Sequence, residues 1–183
     1  MKAFDRYRIE RLASPPLHLE PLREGHAGLL FTSLQDPDLY TYVPEDAPLD
    51  VSRLQDRFRS LETRRSPDGE QLWLNWVIWL GDEPAGLVQA TCTGERKLFV
   101  AYEVFAGFRR RGIAVAAVRL MLSHLRRHQL ADLALAYVDT RNEASIAVLE
   151  RLGFTRVRTL KGADYFKGSV SDEYEYIRTM SEG

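Results

Sequence analysis

Hydrophobic and polar positions change period several times along this 183-residue chain, and each change predicts an element. Residues 1–16 are polar and end in Pro15-Pro16, which predicts a loosely held leader ahead of a single domain over 17–180. Leu17-His18-Leu19-Glu20 alternates as a strand does. Ala27, Leu30, Phe31 and Leu34 then recur at helical spacing. That first helix stops before Asp36-Pro37, because a residue preceding proline disfavours helical backbone angles. Residues 35–49 hold Tyr40, Tyr42, Pro44 and Pro48 and read as a loop. Asp50 is a natural N-cap for a second helix with Val51, Leu54, Phe58 and Leu61 as its apolar stripe.

After the turn Ser66-Pro67-Asp68-Gly69 the period becomes two. Gln71–Leu80 reads as a strand, Gly81–Pro84 as a turn, and Ala85–Thr91 as the returning hairpin partner. A second turn at Thr93–Arg96 leads into an apolar strand over Leu98–Phe105. Beyond a short basic stretch, Ala114, Ala117, Val118, Met121, Leu122 and Leu125 share one helical face. Leu133–Val138 is continuously apolar, as a buried strand should be. Asn142 opens a further helix that ends at Gly153, a residue suited to a left-handed C-cap. Phe154–Leu160 and Tyr174–Ile177 read as two closing strands. The result is an α/β fold of the mixed-sheet kind, with about seven strands and about four helices on both faces.

Composition narrows the classes rather than choosing among them. Charged residues make up 28%, hydrophobic residues 45%, and the net charge is −1, which excludes a general polyanion binder. No basic stripe interleaved with aromatics appears beyond 109–111 and 126–127, so no nucleic-acid partner is expected. No apolar run is long enough to span a membrane, and the N-terminus has no signal-peptide core, so a cytoplasmic protein is expected. The single cysteine, Cys92, falls mid-sheet and reads as a small buried apolar residue rather than a nucleophile.

The chemistry concentrates in one turn. Arg109, Arg110 and Arg111 run into Gly112, Ile113 and Ala114 where the long helix should begin. A helix N-terminus offers unpaired N–H groups and the positive end of the dipole, which suit a phosphate or carboxylate. Glycine lets the backbone approach a ligand, and arginine charge cannot be titrated away. The turn therefore reads as an anion site, most naturally for a diphosphate.

Arg109-x-x-Gly112-x-Ala114 after a strand resembles the acyl-CoA pyrophosphate signature of the GNAT acyltransferase superfamily. Asn142-x-x-Ser145 followed by Leu149-Glu150-Arg151-Leu152-Gly153-Phe154 is similar to that superfamily's second segment. The opening at Leu17–Pro21, the 36–37 loop and Asp164-Tyr165 resemble its ribosomal-protein N-terminal acetyltransferase branch. The resemblance implies acetyl-CoA as co-substrate, no metal, an amine acceptor such as a peptide N-terminus, and a monomer or homodimer. It also implies two central strands that splay apart to admit the pantetheine arm. The diphosphate would lie on the amides of Arg110 to Ala114, with Arg109 or Arg111 adding charge-assisted bonds. The arm would bond to backbone near Val104 and Phe105, where an N–H would also stabilise the oxyanion. Asn142 and Ser145 would line the other wall.

Proton transfer is less clearly written. Many superfamily members carry a thiolate-protonating tyrosine seven residues after the asparagine; Leu149 stands there, and Ser145 becomes the substitute. Two carboxylates are candidate bases: Asp164, preferred because it matches an acidic position of the ribosomal-protein branch, and Glu103 near the end of its strand. A small-molecule amine acetyltransferase and a non-catalytic CoA-binding regulator are the alternatives, the latter kept open by Leu149.

Overall fold

A computed structural model describes residues 7–180. It contains one eight-stranded sheet with strands in the spatial order β1-β2-β3-β4-β5-β6-β8-β7. The strands are β1 (Leu12–Ser14), β2 (Leu17–Pro21), β3 (Leu72–Leu80), β4 (Glu83–Cys92), β5 (Lys97–Val104), β6 (Leu133–Asp139), β7 (Thr155–Phe166) and β8 (Ser169–Thr179). The helices are α1 (Ala27–Leu30), α2 (Val51–Glu62), α3 (Ile113–Arg127) and α4 (Glu143–Arg151). All neighbouring strands run antiparallel except β5 and β6, which are parallel.

The sheet is buried on both sides, which explains the near-continuous apolar run of β3: Trp76 and Val77 both have 0% exposure although they point to opposite faces. Trp76 belongs to a core with Leu98, Val118, Met121, Leu125 and Leu149, contributed by β5, α3 and α4. Val77 belongs to a second core with Leu30, Leu54, Phe58 and Phe105 under α1 and α2. The predicted stripe of α3 is buried from Ala117 to Leu125, with Ala114 only half-buried, and each large buried side chain contributes about 1.5–3 kcal/mol. Asp50 caps α2 as expected, its Oδ1 accepting the Arg53 N–H at 2.8 Å.

Three expectations need correction. The leader is not uniformly loose: Leu12–Ser14 pairs with β2 as an edge strand, and the Trp76 indole N–H donates to the Glu10 carbonyl at 2.9 Å. Residues 1–6 of that leader lie outside the described residues. The first helix is broken, with α1 flanked by 3₁₀ turns at Glu24–His26 and Ser33–Gln35. The two closing strands are longer than expected and form a hairpin, so Asp164 lies within β7, opposite Ser171, and not in a loop.

One close approach fixes the position of β5. A Cβ built on Gly86 of β4 would lie 2.1 Å from the Glu103 carbonyl oxygen, a backbone atom that cannot rotate away. Gly86→Ala is expected to push β5 outward and cost about 1–3 kcal/mol, read as a lower urea midpoint. An unchanged midpoint would mean that the strands separate there without cost.

Candidate functional site

The parallel pair at the centre of the sheet opens into a gap. Lys97, Leu98 and Phe99 pair with Leu133, Ala134 and Leu135, and the pairing of the two strands ends there. β6 continues alongside β8 as far as Asp139, while β5 continues alongside β4 as far as Val104. The closed end of this V is fastened by Arg96, whose guanidinium holds both Asp132 carboxylate oxygens at 2.6 Å and whose carbonyl accepts the Asp132 N–H at 2.8 Å. Phe105 donates its N–H to Ala85 at 2.9 Å. Backbone alternation then directs the N–H of Glu103 toward β4, and those of Tyr102 and Val104 toward the gap. This corrects the expectation for Phe105, whose N–H is used inside the sheet.

Beyond β5 the chain turns tightly into α3. Arg110 (φ +61°) and Gly112 (φ +74°) both take left-handed backbone angles, and Gly112 occupies the N-cap with no side-chain hydrogen bond. The first capping bond of the helix runs from the Ala116 N–H to the Gly112 carbonyl at 3.0 Å. The amides of Ile113, Ala114 and Val115 therefore project from an uncapped helix end. A Cβ on Gly112 would meet nothing within 4 Å, so the turn opens to a ligand. Arg110 and Arg111 are exposed, and Arg111 lies 5.6 Å over the Phe108 ring. Uncapped amides, alternating left-handed residues and two exposed guanidinium groups fit a diphosphate.

Arg109 is drawn away from that set. Its Nη2 holds Asp36 at 2.6 Å, its Nη1 holds Asp38 at 3.0 Å, and its Nε donates to the Val104 carbonyl at 3.1 Å. The guanidinium thus ties the 36–38 turn to the end of β5. Its acidic partners lie more than seventy positions away in sequence, so no local signal marks them.

The opposite wall is formed by the start of α4. Asn142 caps that helix, its Oδ1 accepting the Ser145 N–H at 3.1 Å. Tyr102, which sequence reasoning passed over, donates its hydroxyl to the Ser145 carbonyl at 3.1 Å. Burial pushes the Tyr102 phenol up to about 12, so it keeps its proton at neutral pH. Asp139, at the end of β6, accepts bonds from the Arg141 N–H, from both Nε and Nη2 of Arg141, and from the Ser171 hydroxyl. The Arg141 guanidinium pulls its pKa down to about 2, which leaves it a fixed anion and a poor proton acceptor.

The two candidate bases sit in different surroundings. Glu103 is half-buried on the face of α2, and no hydrogen bond or ion pair to its carboxylate is found among the described residues. Burial raises its pKa above the ordinary carboxylate range; Arg57 opposes the shift and Glu45 adds to it. Asp164 accepts the N–H of its own neighbour Tyr165 at 2.7 Å on the hairpin. Burial, then Asp164 and Asp139, raises the pKa of Glu173, so Asp164 belongs to that acidic group. A further link was invisible in sequence. Lys167, at the β7–β8 turn, donates its ammonium to the carbonyls of Tyr40, Val43 and Glu45 at 2.5, 2.8 and 2.9 Å. The hairpin tip thereby holds the loop that carries Glu45, whose charge acts on Glu103.

A mixed sheet splayed at its one parallel pair, with an uncapped helix start beside the gap, fits an acyltransferase. The chain belongs to the GNAT acetyltransferase family, residues 17–155 matching the family's acetyltransferase (GNAT) domain, and is an acyltransferase. No curated protein sequence is significantly similar to it. Solved structures are similar in fold. An acetyl transferase from Salmonella typhimurium that modifies the N-terminal serine of the 50S ribosomal subunit protein L7/L12 superposes with a TM-score of 0.84 at 19% identity, over 93% of this chain and 99% of that one. RimL, a ribosomal L7/L12 alpha-N-protein acetyltransferase in complex with coenzyme A, gives 0.83 at 18% identity over 93% and 98%. The microcin C7 self immunity acetyltransferase MccE, in complex with acetyl-CoA and AMP, gives 0.81 at 17% over 91% and 93%. No helix among the described residues is long and apolar enough to cross a membrane.

Proposed function

We propose that this protein transfers an acetyl group from acetyl-CoA directly to a primary amine, with a peptide or protein N-terminus as acceptor. The observation that carries the reading is the V between β5 and β6 opening beside the uncapped start of α3. On this reading the amides of Arg110 to Val115 bind the diphosphate, and the exposed guanidinium groups of Arg110 and Arg111 add charge. The Val104 N–H, on the gap side of β5, bonds the thioester arm and stabilises the oxyanion as the amine nitrogen attacks the carbonyl carbon. As the carbon–sulfur bond breaks, a hydroxyl at the α4 wall returns a proton to sulfur, from Ser145 or from the Tyr102 phenol beside it. Asn142 positions that wall.

Glu103 replaces Asp164 as the favoured base. A carboxylate that is half-buried, unpaired and raised in pKa is a stronger proton acceptor than an ordinary one, whereas Asp164 bonds to its neighbour's backbone. Glu103 and Glu45 also give the acceptor side a negative character, which suits an incoming ammonium. Cys92 is wholly buried in the core and its thiol is pushed up to about 12, which supports direct transfer over an acyl-cysteine route.

An acceptor panel tests the reading: free N-terminal peptides, N-blocked peptides containing lysine, and small amines, with thiol release from acetyl-CoA as the readout. Release with free N-terminal peptides well above the other two groups is expected; release only with small amines would move the acceptor class. Lys167→Met should loosen the 40–46 loop. A loss of about 1 kcal/mol there raises the acceptor KM about fivefold and leaves CoA affinity unchanged. An unchanged acceptor KM would place the loop outside the cleft.

A further inference from the structure

Three side chains with metal-ligating atoms converge at the end of α3 remote from the arginine turn. His124 lies in the last turn of α3 and His128 at its C-cap, one helical turn apart, so they share a face. Their ring centroids are 4.5 Å apart. Glu10, from the segment ahead of β1, brings its Oε1 to 3.4 Å from His124 Nδ1. One ligand atom from each of the three lies within 4.8 Å of the other two.

The second nitrogen of His124 is also held. Its Nε2 lies 2.8 Å from the Tyr7 hydroxyl, and Tyr7 stands edge-on to both imidazole rings, with centroids at 5.8 and 5.3 Å. One ring nitrogen toward a carboxylate and the other fixed by an outer hydrogen-bond partner is the arrangement of a metal-ligating histidine. Burial lowers the His124 pKa, with His128 and Arg127 adding to the shift and Glu10 opposing it. Its side chain is only 1% exposed, whereas that of Glu10 is 61% exposed. A buried imidazole thus sets the direction, and two exposed side chains are free to close on it.

We infer that Glu10, His124 and His128 form a binding site for a zinc-class divalent cation that fastens the N-terminal segment to the end of α3. Tetrahedral zinc with nitrogen and oxygen ligands at about 2.0–2.2 Å needs ligand atoms roughly 3.4 Å apart. The observed separations close to that value by rotamer adjustment of Glu10 and His128, with water as the fourth ligand. Two imidazoles favour zinc, nickel or copper over calcium or magnesium. The family resemblance implies no metal. The His124-x-x-x-His128 spacing was visible, but the carboxylate comes from the far end of the chain. The site is independent of the proposed acetyl transfer, because a helix of fifteen residues separates it from the turn by about 22 Å.

The test uses the full chain without affinity histidines, so that only His18 and His26 add background. Titration with zinc should show one saturable site, and cobalt(II) should develop the visible bands of a tetrahedral complex. Zinc at about a hundredfold its Kd should raise the thermal midpoint by about 5–10 °C. His128→Gln and Glu10→Gln, both at exposed positions, should each remove the cobalt bands and the thermal shift, while His18→Gln should leave both intact. Absence of saturable binding to the wild-type chain would overturn the assignment. So would wild-type binding by His128→Gln, or equal competition by magnesium. Acetyl transfer that succeeds or fails in any of these samples leaves the conclusion about this site unchanged.

Discussion

Gly112→Glu is expected to lower coenzyme A affinity by about 100-fold or more while the protein stays folded. Two effects combine at that position. Gly112 holds φ at +74°, where a side chain costs about 1–2 kcal/mol. The introduced carboxylate would also lie against the amides of Ile113, Ala114 and Val115 that the phosphates need. Loss of even one or two charge-assisted bonds, at about 1.5–3 kcal/mol each, accounts for the expected factor. Gly112→Asn separates the contributions, because asparagine tolerates left-handed angles and carries no charge. It should keep affinity within several-fold. Calorimetric titration with CoA, alongside a thermal melt of each variant, reads the result. Wild-type affinity in a folded Gly112→Glu protein would remove the turn from the cofactor site.

Glu103→Gln should lower kcat by about 10²–10⁴-fold with little change in CoA affinity, the range removed with a general base. The pH profile carries the diagnosis. Wild-type kcat/KM should fall as pH is lowered through a pKa above the ordinary glutamate value of about 4.3, because only the carboxylate accepts a proton. That limb should vanish in Glu103→Gln and persist in Asp164→Asn. Stability should move the other way. A carboxyl whose pKa is raised by folding supports the fold when protonated, and that support is lost as pH rises through the folded value. Glu103 is therefore a liability to the folded state at neutral pH, and glutamine should leave stability equal or higher. A variant that loses stability together with activity would mark Glu103 as structural.

Local patterns in the sequence were enough to recover most elements. Period-two alternation located β3 and β4, the Asp50 cap located α2, and the apolar stripe from Ala117 to Leu125 located α3. What failed was weakly patterned or long-range. β1 buries only Leu12 of its three residues, too little to show alternation. β7 is exposed along nearly its whole length, so its extension through Asp164 carries no apolar signal. The tight turn into α3 was legible because its parts are consecutive, from Arg109 to Ala114, and its binding of an anion belongs to the proposal. The roles within it were not: Arg109 belongs to Asp36 and Asp38, and the Phe105 N–H to Ala85, both decided by pairing with distant strands and turns. For the same reason Tyr102 reaching Ser145, and Lys167 holding the 40–45 carbonyls, could not be read from spacing.

The central claim is that coenzyme A lies in the β5–β6 gap with its diphosphate on the start of α3. Backbone amide resonances followed during titration with CoA test it most directly. The account predicts the largest shifts at Arg110 to Val115, with Tyr102, Val104 and the Asn142–Ser145 turn moving at the same saturation. The amides around His124 and His128 should stay in place. Saturating CoA that leaves Arg110 to Val115 unmoved while shifting another surface would contradict it.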